Sequence, residues 1–148
     1  MYKHILIATD GSELAAKALD HGLALAKLVN ARVTVVSVTE PWSALDMAAE
    51  ARQRQPDPVG QFEAIAAASA QRILDAAAAR AKAHGVGCEF VHVKDRHPAE
   101  GIVATAKDRG CDLIVMASHG RRGAARWLLG SQANEVLATA HAPTLIVR

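Results

Sequence analysis

The chain has 148 residues, a formal net charge of +2 and 51% hydrophobic residues on a wide count, the size and balance of one compact domain, taken as residues 1–148. Aromatic residues make up only 3%, so a core must come from Ala, Val, Ile and Leu, a mixture that suits helices packed on a sheet. Basic and acidic residues are interspersed without long runs of one sign, which argues against a nucleic-acid partner, and no apolar run approaches the ~20 residues that span a bilayer.

The first nine residues lack a basic region, a long apolar stretch and a cleavage site, so no signal peptide is expected and the reading is a soluble, cytoplasmic protein. Strand-like runs then occur at residues 5–9, 32–38, 87–94, 112–116 and 144–147, with helical patterns between them. That alternation predicts an α/β fold, an open parallel five-stranded sheet covered by helices on both faces. The first helix is expected over about residues 12–29, with Asp10 or Ser12 as cap and Asn30 as a left-handed stop. Gly22 in its middle costs about 1 kcal/mol relative to Ala, which calls for close packing on the sheet.

Residues 40–58 carry three prolines between the second strand and second helix, too long for an ordinary connection. They read either as a lid or as a partly helical segment around residues 44–52. The second helix, about residues 59–84, places Phe62, Ala66, Ala70, Ile73 and Ala77 on one stripe, read as core, and ends at Gly85. Pro98 suits the first turn of a third helix and Gly110 its end, while a fourth follows Ser131 and stops before Pro143. Cys88 and Cys111 open two different strands with no CxxC and read as small buried hydrophobes.

In an open α/β sheet, ligands bind beyond the carboxyl ends of the strands where the strand order reverses, which directs attention to the loops after strands one and four. The first loop contains Ala8 and Asp10. Asp10 is placed either to meet a ribose hydroxyl or metal-bound phosphate, or to cap the first helix with Glu13 in a capping-box spacing. The second loop, "ASHGRRGAARWLLGS" over residues 117–131, brings Gly120, Arg121, Arg122 and Arg126 ahead of Gly130 and Ser131. Those last two open a helix whose free N–H groups attract anions. Its spacing matches neither a Walker A loop nor GxGxxG.

The spacing of Ala117, Gly120, Gly130 and Ser131 resembles the G-2x-G-9x-G-S/T signature of the universal stress protein family. "ILIATDGSELAAKAL", "HPAEGIVATAKDRGCDLIVMASHG" and "HAPTLIVR" resemble other parts of that family in the same order. The resemblance implies a flavodoxin- or Rossmann-like sheet of order 3-2-1-4-5, related to the adenine nucleotide alpha hydrolases, and usually a homodimer. It implies ATP, with Mg or Mn, held between the two loops. On matching positions Asp10 would contact ribose or phosphate, Val38 would meet adenine through its backbone, and Gly120, Gly130 and Ser131 would hold phosphates. Ala8, Ala117, His119, Arg121 and Gln132 complete the expected cofactor-binding set, and no metal ligand is assigned. The signature's first glycine is Ala117 here, which adds a methyl group near the sugar and disfavours positive φ. The implied strand order separates Cys88 from Cys111 by two strands, beyond disulfide reach.

Seven histidines are scattered, none at the i, i+4 spacing of a helical metal pair, and His119 inside the motif is read as a positioning group. No GxSxG elbow is present. Trp127 is read as core or subunit contact, with the rim of the nucleotide site as the other choice. The closing strand at a sheet edge predicts a homodimer through that strand. Three functions follow: a nucleotide-dependent regulator of the stress response, a weak ATPase using Asp10 to hold magnesium and His119 or an ordered water for attack, or a nucleotide-independent scaffold.

Overall fold

A computed structural model of the chain describes residues 1–43, 57–121 and 128–148. Among them, strands β1 (His4–Ala8), β2 (Arg32–Val38), β3 (Cys88–Val93), β4 (Leu113–Ala117) and β5 (Thr144–Val147) alternate with helices α1 (Glu13–Val29), α2 (Pro58–His84), α3 (Pro98–Asp108) and α4 (Ser131–Thr139). Every strand pairing is parallel and the order is β3-β2-β1-β4-β5, as expected. The residues proposed for a helix at 44–52 lie outside the described residues, as do Arg122, Arg126 and Trp127.

β1 lies at the centre of the sheet, and its Ile5, Leu6 and Ile7 are completely buried. Their alternation divides the core: Ile5 and Ile7 pack with Val33, Val35 and Val115 under α1 and α2, while Leu6 packs with Val36, Ile114 and Met116 against α3 and α4. Strand ends move by one residue from expectation for identifiable reasons. Asp112 stays out of β4 because its carboxylate accepts the N–H groups of Lys3 at 2.8 Å and His4 at 3.0 Å, fastening the start of β1. Thr9 falls outside β1, although its N–H still donates to Val36 O at 2.9 Å.

The helix limits follow their caps. Ser12 Oγ accepts from Ala15 N at 3.2 Å to start α1, and Asn30 ends it at φ 55°. Asp57 caps α2 through Gly60 N at 3.1 Å, and Gly85 closes that helix in the left-handed region at φ 68°. Asp20 of α1 bridges Arg80 at 2.7 Å and His84 at 3.2 Å on α2, and Lys27 Nζ donates to His84 O at 3.0 Å. These exposed links tie the carboxyl half of α2 to α1. Both cysteines are free, and burial pushes each thiol up to about 11.

Gly22 is buried where a Cβ would stand 2.5 Å from Ile7 Cδ1 and 3.5 Å from Val115 Cγ1, the close approach its sequence position called for. Replacing Gly22 by Ala gains about 1 kcal/mol of helix propensity but overpacks the sheet at a cost of roughly 1–3 kcal/mol. Urea unfolding of Gly22→Ala is expected to show a net loss of about 1 kcal/mol. A higher midpoint would mean that propensity outweighs packing here.

Candidate functional site

The loop leaving β1 is built by three side chains that bond backbone a few residues on. Thr9 Oγ1 accepts from Gly11 N at 3.3 Å, Asp10 Oδ1 from Ser12 N at 2.9 Å, and Ser12 Oγ from Ala15 N. Ser12 therefore caps α1, and the capping role considered for Asp10 with Glu13 is not its part. Gly11 sits at φ 78°, and a Cβ on it would meet Ile73 Cγ1 at 2.8 Å and the Arg121 guanidinium at 3.1 Å.

Asp10 reaches further. Its Oδ2 accepts the backbone N–H of Arg121 at 3.0 Å, joining the loops after β1 and β4. Gly120 permits this approach, because a Cβ there would lie 2.5 Å from that same oxygen. Nine residues later the chain returns: Gly130 N donates to Ser118 O at 2.7 Å, and a Cβ on Gly130 would press on Ser118 O at 3.1 Å and His119 Cα at 3.2 Å. Each glycine's missing side chain is thus accounted for by a protein contact. Ala117 ends β4 as ordinary strand and is absent from the positive-φ residues, so its methyl group is accommodated without backbone strain.

The two loops and the end of β2 enclose a cavity of about 750 Å³, within the range that holds a cofactor-sized ligand. All ten residues expected to bind the cofactor line it: Ala8 and Asp10 from the first loop, Val38 from β2, Ala117, His119, Gly120 and Arg121 from the end of β4, and Gly130, Ser131 and Gln132 at the start of α4. Gly130 is the N-cap of α4, and no side chain caps it, so the N–H groups of Ser131, Gln132 and Ala133 open towards the cavity without intrahelical partners. The Gln132 carboxamide is engaged elsewhere, its Oε1 accepting Ala99 N at 2.8 Å and tying α4 to α3. His119 makes a long 3.4 Å contact from Nδ1 to Gly120 O.

At the other edge, β1 pairs with β2 only as far as Ala8 and Val36. Thr39 turns its N–H to β3, donating to Val93 O at 2.8 Å, so Val38, one residue earlier, turns its own N–H and C=O to the side that β1 has left. Thr39 is held a second time by its hydroxyl, 2.7 Å from His92 Nε2. Burial and then the charge of Lys94 hold His92 below the usual histidine range.

Phe62, Ala66 and Ile73, expected in the core, are partly exposed and line the cavity, together with Ile65 and Ser69. Ala70 and Ala77 of the same stripe are buried as expected. The available signal was length: 27 helical residues extend about 40 Å, whereas strands of four to seven residues cover roughly 13–23 Å. The surplus overhangs the carboxyl ends of the strands and becomes a wall. Among the described residues no group of three His, Cys, Asp or Glu side chains is placed to hold a metal ion, and no helix is long and apolar enough to cross a membrane.

Fold and site together define a doubly wound α/β protein with a ligand-sized cavity at the point where strand order reverses. The chain belongs to the universal stress protein family, which it matches over residues 1–148. It is 32% identical over 151 residues to Universal stress protein MJ0531 of Methanocaldococcus jannaschii, covering all of this chain and 83% of that one. It is 30% identical over 149 residues to Universal stress protein YxiE of Bacillus subtilis, covering both chains fully. Among solved structures it resembles protein MJ0577 (TM-score 0.80, 28% identity, 99% of this chain and 96% of the other). It also resembles a universal stress protein in complex with cAMP (TM-score 0.74, 27% identity, 99% and 97%).

Removing the Asp10 carboxylate should release the loop after β4 while leaving the sheet intact. Hydrogen exchange on Asp10→Ala is expected to speed the Arg121 amide by about tenfold, with amides of β1 unchanged. Equal exchange at Arg121 in both proteins would show that the loops are held by other contacts.

Proposed function

We propose that this protein is a cytoplasmic stress-response regulator that binds ATP, carried with Mg or Mn, in the cavity between the loops after β1 and β4. The observation that carries this reading is the convergence of two kinds of recognition on one cavity: the uncapped start of α4 and the open backbone edge of Val38. The first offers N–H groups and the positive end of a helix dipole to phosphates, with the Ser131 hydroxyl as a further donor and Arg121 as a nearby cation. The second offers a donor and an acceptor side by side, the complement of the acceptor N1 and the amino group of adenine. Asp10 holds the two loops in register and faces the sugar. The similar protein in complex with cAMP shows that this fold accommodates an adenine nucleotide in a relative.

No cage of protein ligands awaits a metal among the described residues, so the cation would arrive on the phosphates, where it offsets their charge. Hydrolysis is slow at most in this reading: among the described residues His119 makes only the long contact to Gly120 O, with no carboxylate orienting it as a general base. β5 ends the sheet, with Leu145 39% exposed on it, and we take this edge as the contact of a homodimer.

Calorimetric titration with ATP and magnesium tests the reading. Micromolar binding is expected, weakened about tenfold in Ser131→Ala. Absence of binding heat in the unaltered protein would overturn the proposal. Steady phosphate release abolished by Asp10→Ala would favour the ATPase instead.

A further inference from the structure

Aromatic residues are scarce in this chain, yet two of them meet beside the cavity. Trp42, just beyond β2, stacks on Phe62 of α2 with ring centroids 5.8 Å apart and planes inclined by 27°. Phe62 lines the main cavity, and with Thr39 and His92 it also lines a hollow of about 20 Å³. The ring therefore stands at the end of the cavity where β2 finishes, and Val38 lines the same cavity. That end is firmly held: Thr39 N–H bonds Val93 O, and the Thr39 hydroxyl pairs with His92.

A core role would bury Phe62, and a core role could be filled by the aliphatic residues that build the rest of this protein. Phe62 is instead partly exposed at the cavity wall. A second observation concerns Trp42, whose indole N–H is buried and has no acceptor among the described residues. Trp42 is not among the residues lining the cavity, so it meets the cavity only through the Phe62 ring that it backs.

We propose that Phe62, backed by Trp42, is the stacking platform for the flat ring of the ligand. Resting on the nucleotide reading above, this makes the site selective for ligands with a planar heteroaromatic end, read by its face on Phe62 and by its edge on Val38. The phosphates are then bound separately, at the start of α4. Stacking on a ring is tolerant of ring identity, so Phe62 sets affinity for flat rings as a class, and Val38 distinguishes among them.

The test compares ATP with inorganic triphosphate, which carries the phosphates without the ring, in the unaltered protein, Phe62→Leu and Phe62→Tyr. Phe62→Leu keeps apolar bulk and removes the flat face, so ATP affinity should fall roughly tenfold, while the competition of inorganic triphosphate for the site stays unchanged. Phe62→Tyr should restore ATP affinity. ATP should also change tryptophan fluorescence in the unaltered protein, and that change should vanish in Trp42→Phe. Equal ATP affinity in Phe62→Leu, or a parallel loss for inorganic triphosphate, would overturn the platform and leave nucleotide binding standing. If the unaltered protein binds no ATP, the nucleotide reading falls and the platform with it.

Discussion

One carboxylate organises the carboxyl end of this sheet. Asp10 spends its two oxygens on two backbone N–H groups, Ser12 in its own loop and Arg121 in the loop after β4. Charge-assisted bonds of this kind are stronger than neutral ones, and here they join segments 111 residues apart. Gly120 exists in that setting because any side chain would collide with the carboxylate. The cavity keeps its shape because the two loops that bound it are fastened to each other.

The strand order determines why those loops meet. β1 is central, α1 and α2 cover one face, α3 and α4 the other, and the carboxyl ends of β1 and β4 diverge into helices on opposite faces. A cleft is the geometric result. α2 deepens it, because its carboxyl half is tied to α1 and its amino half has no strand left to cover. The closing of the Gly120 to Gly130 excursion by the Gly130 to Ser118 bond then brings the start of α4 to the cavity floor.

Much of this was legible in the chain. Periodicity placed all five strands to within a residue, because parallel strands buried on both faces read as continuous apolar runs. Asn30, Gly85 and Gly110 marked helix ends, and all three adopt positive φ. The family resemblance, carried onto this sequence, pointed to ten residues that do line one cavity. The contribution of Phe62, Ala66 and Ile73 was hidden, since an apolar stripe has the same period whether it faces a core or a cavity. The work of Asp10 was hidden too. A sequence shows that a carboxylate can cap the next helix, but its bond to Arg121 depends on two distant loops arriving together.

The universal stress protein family provides the frame in which these details gain meaning, and the local chemistry explains how this member builds its site. The most direct test of the central claim is an amide NMR titration of the ¹⁵N-labelled protein with ATP and magnesium. Binding at the proposed cavity predicts shifts concentrated at Asp10 to Ser12, Val38 to Glu40, Ser118 to Arg121 and Ser131 to Ala133. Shifts confined to other surfaces, such as the exposed edge of β5, or no shifts at saturating ATP, would contradict it.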